Sequence, residues 1–169
     1  RMPTEHVISP ALRRLLLKVL LGSQPPPAVL FLGLLPDLPP ENALVEGWAL
    51  YAICLHLEAV TFGEINRLLI TVPPGFMKSL CTDVFWPAWE WGPMEMPHIR
   101  YVTFSYSSSN TERDNQRFGD LITSAEFKAM YPAVQVRQNG VGMVSNYKHG
   151  WKLASSVTGS ATGKRGNRA

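Results

Sequence analysis

Apolar positions recur along this chain with two different periods, and each change of period marks a change of element. Ser9-Pro10 leads into "ALRRLLLKVL" and stops at Gly22. A hydroxyl N-cap, a proline at the first helical position, an apolar stripe and a closing glycine predict a short helix. Six prolines between residues 23 and 40 exclude a regular element there and predict a linker or an irregular wrap. From Glu41 to Thr61 the residues Leu44, Trp48, Tyr51, Ala52, Leu55 and Ala59 recur at helical spacing, and Gly63 closes the pattern. A second amphipathic helix, packed on a sheet, is expected.

"RLLITV", Arg67 to Val72, is a continuous apolar run bounded by turn residues, the pattern of a strand buried on both faces. Pro73-Pro74-Gly75 ends it, and "MKSLCTDVFWPAWEW" is then helical through about Phe85, with Pro87 forcing an end or a kink. A second strand is expected over Ile99 to Ser105. The next segment offers Ser108 or Asn110 as N-cap and places Phe118, Leu121 and Ile122 on one helical face. Strand, helix, strand, helix is the rhythm of an α/β domain. After Tyr131-Pro132, short strand-like pieces with glycines predict a β-hairpin or meander.

Composition narrows the class. At 169 residues, with 46% of them apolar, the chain has material for one core but not two. Cys54 and Cys81 lie in apolar stretches, so buried free thiols in a reducing compartment are expected. The run Leu15 to Leu21 is interrupted by Lys18 and is too short to cross a bilayer, so the chain reads as soluble and cytoplasmic. Its net charge of +3 is uneven: all thirteen carboxylates lie at or before Glu126, while seven Lys and Arg follow. Such a basic segment suits a polyanion, and equally an ordinary solvated face with acidic partners from elsewhere in the fold.

The junction "ITVPPGFMKSL" carries the chemistry. A phosphate cradle needs backbone N–H groups turned inward at a strand-to-helix turn, a lysine to reach the phosphates and a hydroxyl to hold Mg²⁺. Lys78 and Ser79 stand where the pattern G-x-x-x-x-G-K-[ST] places them, but Val72 and Met77 occupy the two glycine positions. Gly75 can supply one unusual backbone angle. The bland reading is a Pro-Pro-Gly turn with an exposed Lys-Ser at a helix start, although a lysine there opposes the helix dipole unless an anion is bound.

With these blocks in order, the chain resembles the large terminase subunit of tailed bacteriophages and prophages, an ATP-driven DNA-packaging motor. The resemblance runs from about Trp48 to Arg165. It covers "HLEAVTFGEINRLLITVPPGFMKSL", which is similar to the family's deviant Walker A segment, and "FWPAWEWGP". It continues through "IRYVTFSYSSSNTERDNQRFGDLITSAEFKAMYP" and the glycine-rich "ASSVTGSATGKRGNRA". It implies an α/β P-loop NTPase fold of the ASCE type, with a mostly parallel sheet flanked by helices and ending before the Walker B strand. Residues 1–40 would form an N-terminal helix and Pro-rich linker, and 41–169 the front of the ATPase domain.

The resemblance also implies ATP with Mg²⁺ on Pro74, Gly75, Phe76, Met77, Lys78, Ser79 and Leu80, with Lys78 catalytic and Ser79 on the metal. Tyr51 and His56 are candidates for adenine contact. Arg165 is a candidate for charge stabilisation toward ATP or DNA phosphate, or is simply solvated. Implied partners are double-stranded DNA, the small terminase subunit, the portal protein and further copies in a ring, in the bacterial host's cytoplasm and without membrane attachment. The loop lacks the arginine common in the family, and no carboxylate follows Glu126 to serve as Walker B acid, so the chain by itself is expected to turn over ATP negligibly. A P-loop helicase and a non-catalytic remnant that binds nucleotide or nucleic acid are the other readings. The four histidines lack metal-ligand spacing. Trp48, Phe85, Trp86, Trp89 and Trp91 are read as core and helix-packing residues.

Overall fold

The computed structural model describes residues 48–157 and 163–169. The helix expected near Ser9 to Gly22, the Pro-rich stretch and the first residues of the second helix lie outside them, as does the middle of the glycine-rich stretch.

Helix α1, Trp48–Thr61, ends as Gly63 predicts. Gly63 takes φ +79°, its N–H bonds Val60 and the N–H of Glu64 bonds Ala59, a Schellman closure that only a residue tolerant of positive φ makes cheaply. The buried face, however, is Ala49, Leu50, Ile53, Cys54 and Leu57. Trp48, Tyr51 and Leu55, expected to pack inward, are 84%, 40% and 61% exposed. α1 is apolar round most of its circumference, so two stripes satisfy the same spacing and tertiary contact decides between them.

Lys78 opens a helical stretch that runs unbroken to Trp91. Its middle, Leu80–Phe85, is π-helical, with the N–H of Trp86 reaching back to Cys81; α2, Trp86–Trp91, follows with Pro87 in its first turn. Pro87 therefore does not end the helix. A proline lacks the N–H for the backward bond, and the widened turn before it absorbs the mismatch. Phe85, Trp89 and Trp91 are buried as expected. Trp91 meets Phe118 edge to face with ring centres 5.1 Å apart, and its indole N–H bonds the Ile99 carbonyl at 3.1 Å.

β1, Arg100–Ser105, falls within a residue of its expected place. α3, Ser108–Thr123, buries Phe118, Leu121 and Ile122, and the short α4, Ala125–Met130, follows with Ser124 as its hydroxyl cap. The hairpin expected after Pro132 is β2, Val136–Asn139, and β3, Met143–Asn146, followed by β4, Trp151–Ser156. Among the described strands the sheet is mixed, in the order β1-β4-β3-β2, with β1 and β4 parallel and the other pairs antiparallel. It is thus not the mostly parallel sheet expected, because the hairpin extends it on one side.

Arg67–Val72 does not form a strand. Among the described residues it joins no ladder: Leu68, Ile70 and Val72 pack on the core while Leu69 is 90% exposed. A continuous apolar run calls for cover on both faces and a partner on an edge, and the described residues cover one face only. Cys54 and Cys81 are buried and form no disulfide, as their apolar surroundings predict. No helix among the described residues is long and apolar enough to cross a membrane.

Candidate functional site

Residues Pro73 to Ser79 form the turn between the extended run and the helix. Two of them are left-handed: Gly75 at φ +91° and Met77 at φ +55°. For a residue with a Cβ this conformation costs roughly 1–2 kcal/mol, so something must hold Met77 there. Its side chain packs against the hydrophobic core, and its carbonyl accepts the N–H of Cys81 at 2.9 Å, the first α-helical bond of the stretch. The amides of Lys78, Ser79 and Leu80 are consequently first-turn amides, without an intrahelical acceptor. Lys78 and Ser79 are exposed, Phe76 is half-exposed and Leu80 is anchored against the core. A Cβ on Gly75 would meet nothing within 4 Å among the described residues.

The helix runs antiparallel to β1. Trp91 touches Ile99, Glu90 and Trp86 meet Tyr101, and Asp83 lies toward Lys152 and Thr103 further along the strand. Lys78 therefore sits toward the C-terminal end of β1, the end at which parallel α/β sheets bind ligands.

The tentative contacts are not brought together. Tyr51 and His56 lie five residues apart on α1, about 140° around it, so they do not share a face. The His56 ring is occupied locally, with Nδ1 2.7 Å from the Ala52 carbonyl. Arg165 is exposed and precedes Arg168, which bridges to Tyr101 near the start of β1. Arg168 is paired to Glu90, twelve residues and about 18 Å along the helix from Lys78. Arg165 thus stands toward the opposite end of β1 from the turn.

Several ionisable groups in or against the core escaped sequence reasoning. Glu90, fully buried, accepts from Thr61 Oγ1 at 2.8 Å, from the Tyr101 hydroxyl and from Arg168 Nη2 at 2.9 Å. Burial, reinforced by that carboxylate, pushes the Tyr101 hydroxyl well above its ordinary range. Lys152, also fully buried, donates to Asn115 Oδ1 at 3.2 Å and lies over the Phe118 ring, and burial lowers it to about 8. Asp83 is raised by burial, against the opposing pull of Lys152. The available signal was a lone charge within an apolar run, as in "WPAWEW" and "GWKLA".

Among the described residues no cluster of His, Cys, Asp and Glu is built to hold a metal ion on its own. The Ser79 hydroxyl is exposed at the helix start, where a cation arriving with phosphate oxygens would find a ligand. The chain matches no family model, no curated protein and no solved structure.

Proposed function

We propose that the turn Pro74 to Leu80 binds the phosphates of ATP with Mg²⁺, and that the chain is the nucleotide-binding front of a phage terminase large subunit. The observation that carries this reading is the conformation of Met77. A phosphate-binding turn needs a left-handed residue immediately before its lysine, the role normally given to glycine. Met77 adopts that conformation at φ +55° despite its side chain.

In this reading the first-turn amides and the positive end of the helix dipole face the phosphates, Lys78 neutralises their charge, and Ser79 donates an oxygen to the metal. Mg²⁺ supplies charge neutralisation across the phosphates. The fold, an ASCE-type P-loop domain, would assemble as a ring with DNA, the small subunit and the portal in the host cytoplasm.

The test is titration of the full chain with a fluorescent ATP analogue, with and without Mg²⁺. Lys78→Ala is expected to weaken binding by at least about tenfold, and Ser79→Ala to remove the Mg²⁺ dependence. Unchanged affinity in Lys78→Ala, with the fold intact by circular dichroism, sinks the reading.

A further inference from the structure

The outward face of α1 carries an apolar seam. Trp48, Leu55 and Phe62 follow one another at seven-residue spacing, so they lie within about 40° of one line along the helix, over a length of about 21 Å. Phe62 stands one residue past α1, but its N–H bonds the Glu58 carbonyl and continues the helical course. All three side chains are more than half exposed. Single exposed apolar residues are ordinary, whereas three in register on one helix form the kind of stripe that a second helix covers.

The charges beside the seam are of one sign. Half-buried Glu58 flanks it and exposed Glu64 follows it, and residues 48–65 hold no Lys or Arg. Residues 10–21 have the complementary pattern. Leu12, Leu16 and Val19 recur there at helical spacing, Arg13 and Lys18 fall on the two flanks of that stripe, and no acid occurs. Residues 22–47 join this segment to α1, and a linker of that length spans roughly 30 Å, enough to bring it anywhere along the seam. The tether also makes docking an intramolecular event, at a high effective concentration.

We propose that residues 10–21 form a helix that docks antiparallel on the outward seam of α1, Val19 toward Trp48 and Leu12 toward Phe62, with their cations beside Glu58. The occupant is this segment and not a second copy of α1. A second α1 would bring acids without a cation to meet Glu58 and Glu64, whereas residues 10–21 bring Arg13, Arg14 and Lys18. The seam belongs to α1 alone and needs no bound nucleotide.

Amide hydrogen exchange of the full chain tests this, reading residues 12–20, with 152–155 of β4 reporting the fold. A helix of this length is marginal by itself, so slow exchange over 12–20 reports docking. Leu55→Asp, which charges the middle of the seam at an exposed position, is expected to speed exchange over 12–20 by about tenfold or more and to leave 152–155 unchanged. Free exchange over 12–20 in the parent overturns the proposal, as does equal protection in parent and variant. So does a parent that sediments as a dimer with 12–20 unprotected, since a second copy would then cover the seam. Should Leu55→Asp disturb 152–155, Leu16→Asp is measured in its place, and protection over 12–20 that survives it overturns the docking equally.

Discussion

Arg168 Nη2 stands 2.9 Å from Glu90 Oε1, joining residues 78 positions apart in the sequence. Glu90 is fully buried and the Arg168 side chain is 21% exposed, with its guanidinium 5.6 Å from the centre of the Trp86 ring. The pair locks the segment beside β1 onto the helix that begins at Lys78.

Removing the arginine leaves an uncompensated buried carboxylate. Arg168→Ala is expected to cost roughly 3 kcal/mol in urea denaturation, whereas Glu90→Gln combined with Arg168→Met, which removes both charges, should cost much less. The single variants Glu90→Gln and Arg168→Met, with that double variant, form the cycle. A loss below about 1 kcal/mol in Arg168→Ala would show that water reaches Glu90 in its place.

Met77 permits a sharper comparison. Glycine in its place relieves the left-handed strain but gives up packing and chain stiffness, so Met77→Gly should lie within about 1 kcal/mol of the parent. Met77→Val, β-branched at positive φ, should be destabilised by about 2 kcal/mol or more. Thermal melts of the two variants decide it. Equal stability would mean that the turn readily abandons the left-handed geometry on which the nucleotide reading rests.

Lys152 predicts a pH dependence whose sign can be worked out. Its pKa falls from 10.5 to about 8 on folding because burial disfavours the ammonium. Between those values the unfolded chain holds more protons than the folded one, so this group's contribution to stability rises with pH from about 8 to 10.5. At neutral pH the full penalty, roughly 3 kcal/mol, is present. Cys81 and Tyr101 act oppositely. Both are raised on folding, so the unfolded chain loses their protons first, and stability falls as pH climbs past their ordinary values of 9.0 and 10.0. The difference between the parent and Lys152→Met isolates the lysine. That variant should be the more stable at pH 7, with its advantage shrinking steadily toward pH 10.5. An advantage that does not vary with pH over this window would refute the burial account.

How much of this was legible in the sequence depended on the range of the deciding contact. α3 was readable because Phe118, Leu121 and Ile122 fall on one helical face, and β1 and the hairpin because each is a short strand-like run bounded by turn residues. The buried face of α1 was not, since Leu50 and Leu57 compete with Trp48 and Leu55 at the same spacing and only the neighbours choose. Arg67–Val72 has the composition of a central strand, but a ladder belongs to two segments and one sequence window displays only one. The turn's lysine and hydroxyl were visible, whereas the left-handed Met77 was hidden because methionine rarely adopts it. Glu90 and Lys152 drew partners from 78 and 37 residues away, beyond any local pattern.

The loop that feeds β1 gives the last prediction. Gly150 lies where Pro97, Ile99 and Asn146 converge: Asn146 donates to the Pro97 carbonyl at 2.7 Å and accepts the Gly150 N–H at 3.1 Å. A Cβ on Gly150 would sit 1.9 Å from the Pro97 carbonyl oxygen and 3.0 Å from that of Ile99, both backbone atoms that cannot rotate aside. On Gly119 the clash is with the Asn139 side chain, at 2.0 Å, which can rotate away. On Gly142 it meets nothing within 4 Å. Alanine should therefore cost roughly 3 kcal/mol at 150, about 1 kcal/mol at 119 and least at 142. Chemical denaturation of the three variants measures the order directly. If Gly150→Ala proves no worse than Gly142→Ala, the close approach of the β4 entry to the loop before β1 is wrong, and with it the register that aligns β1 against β4.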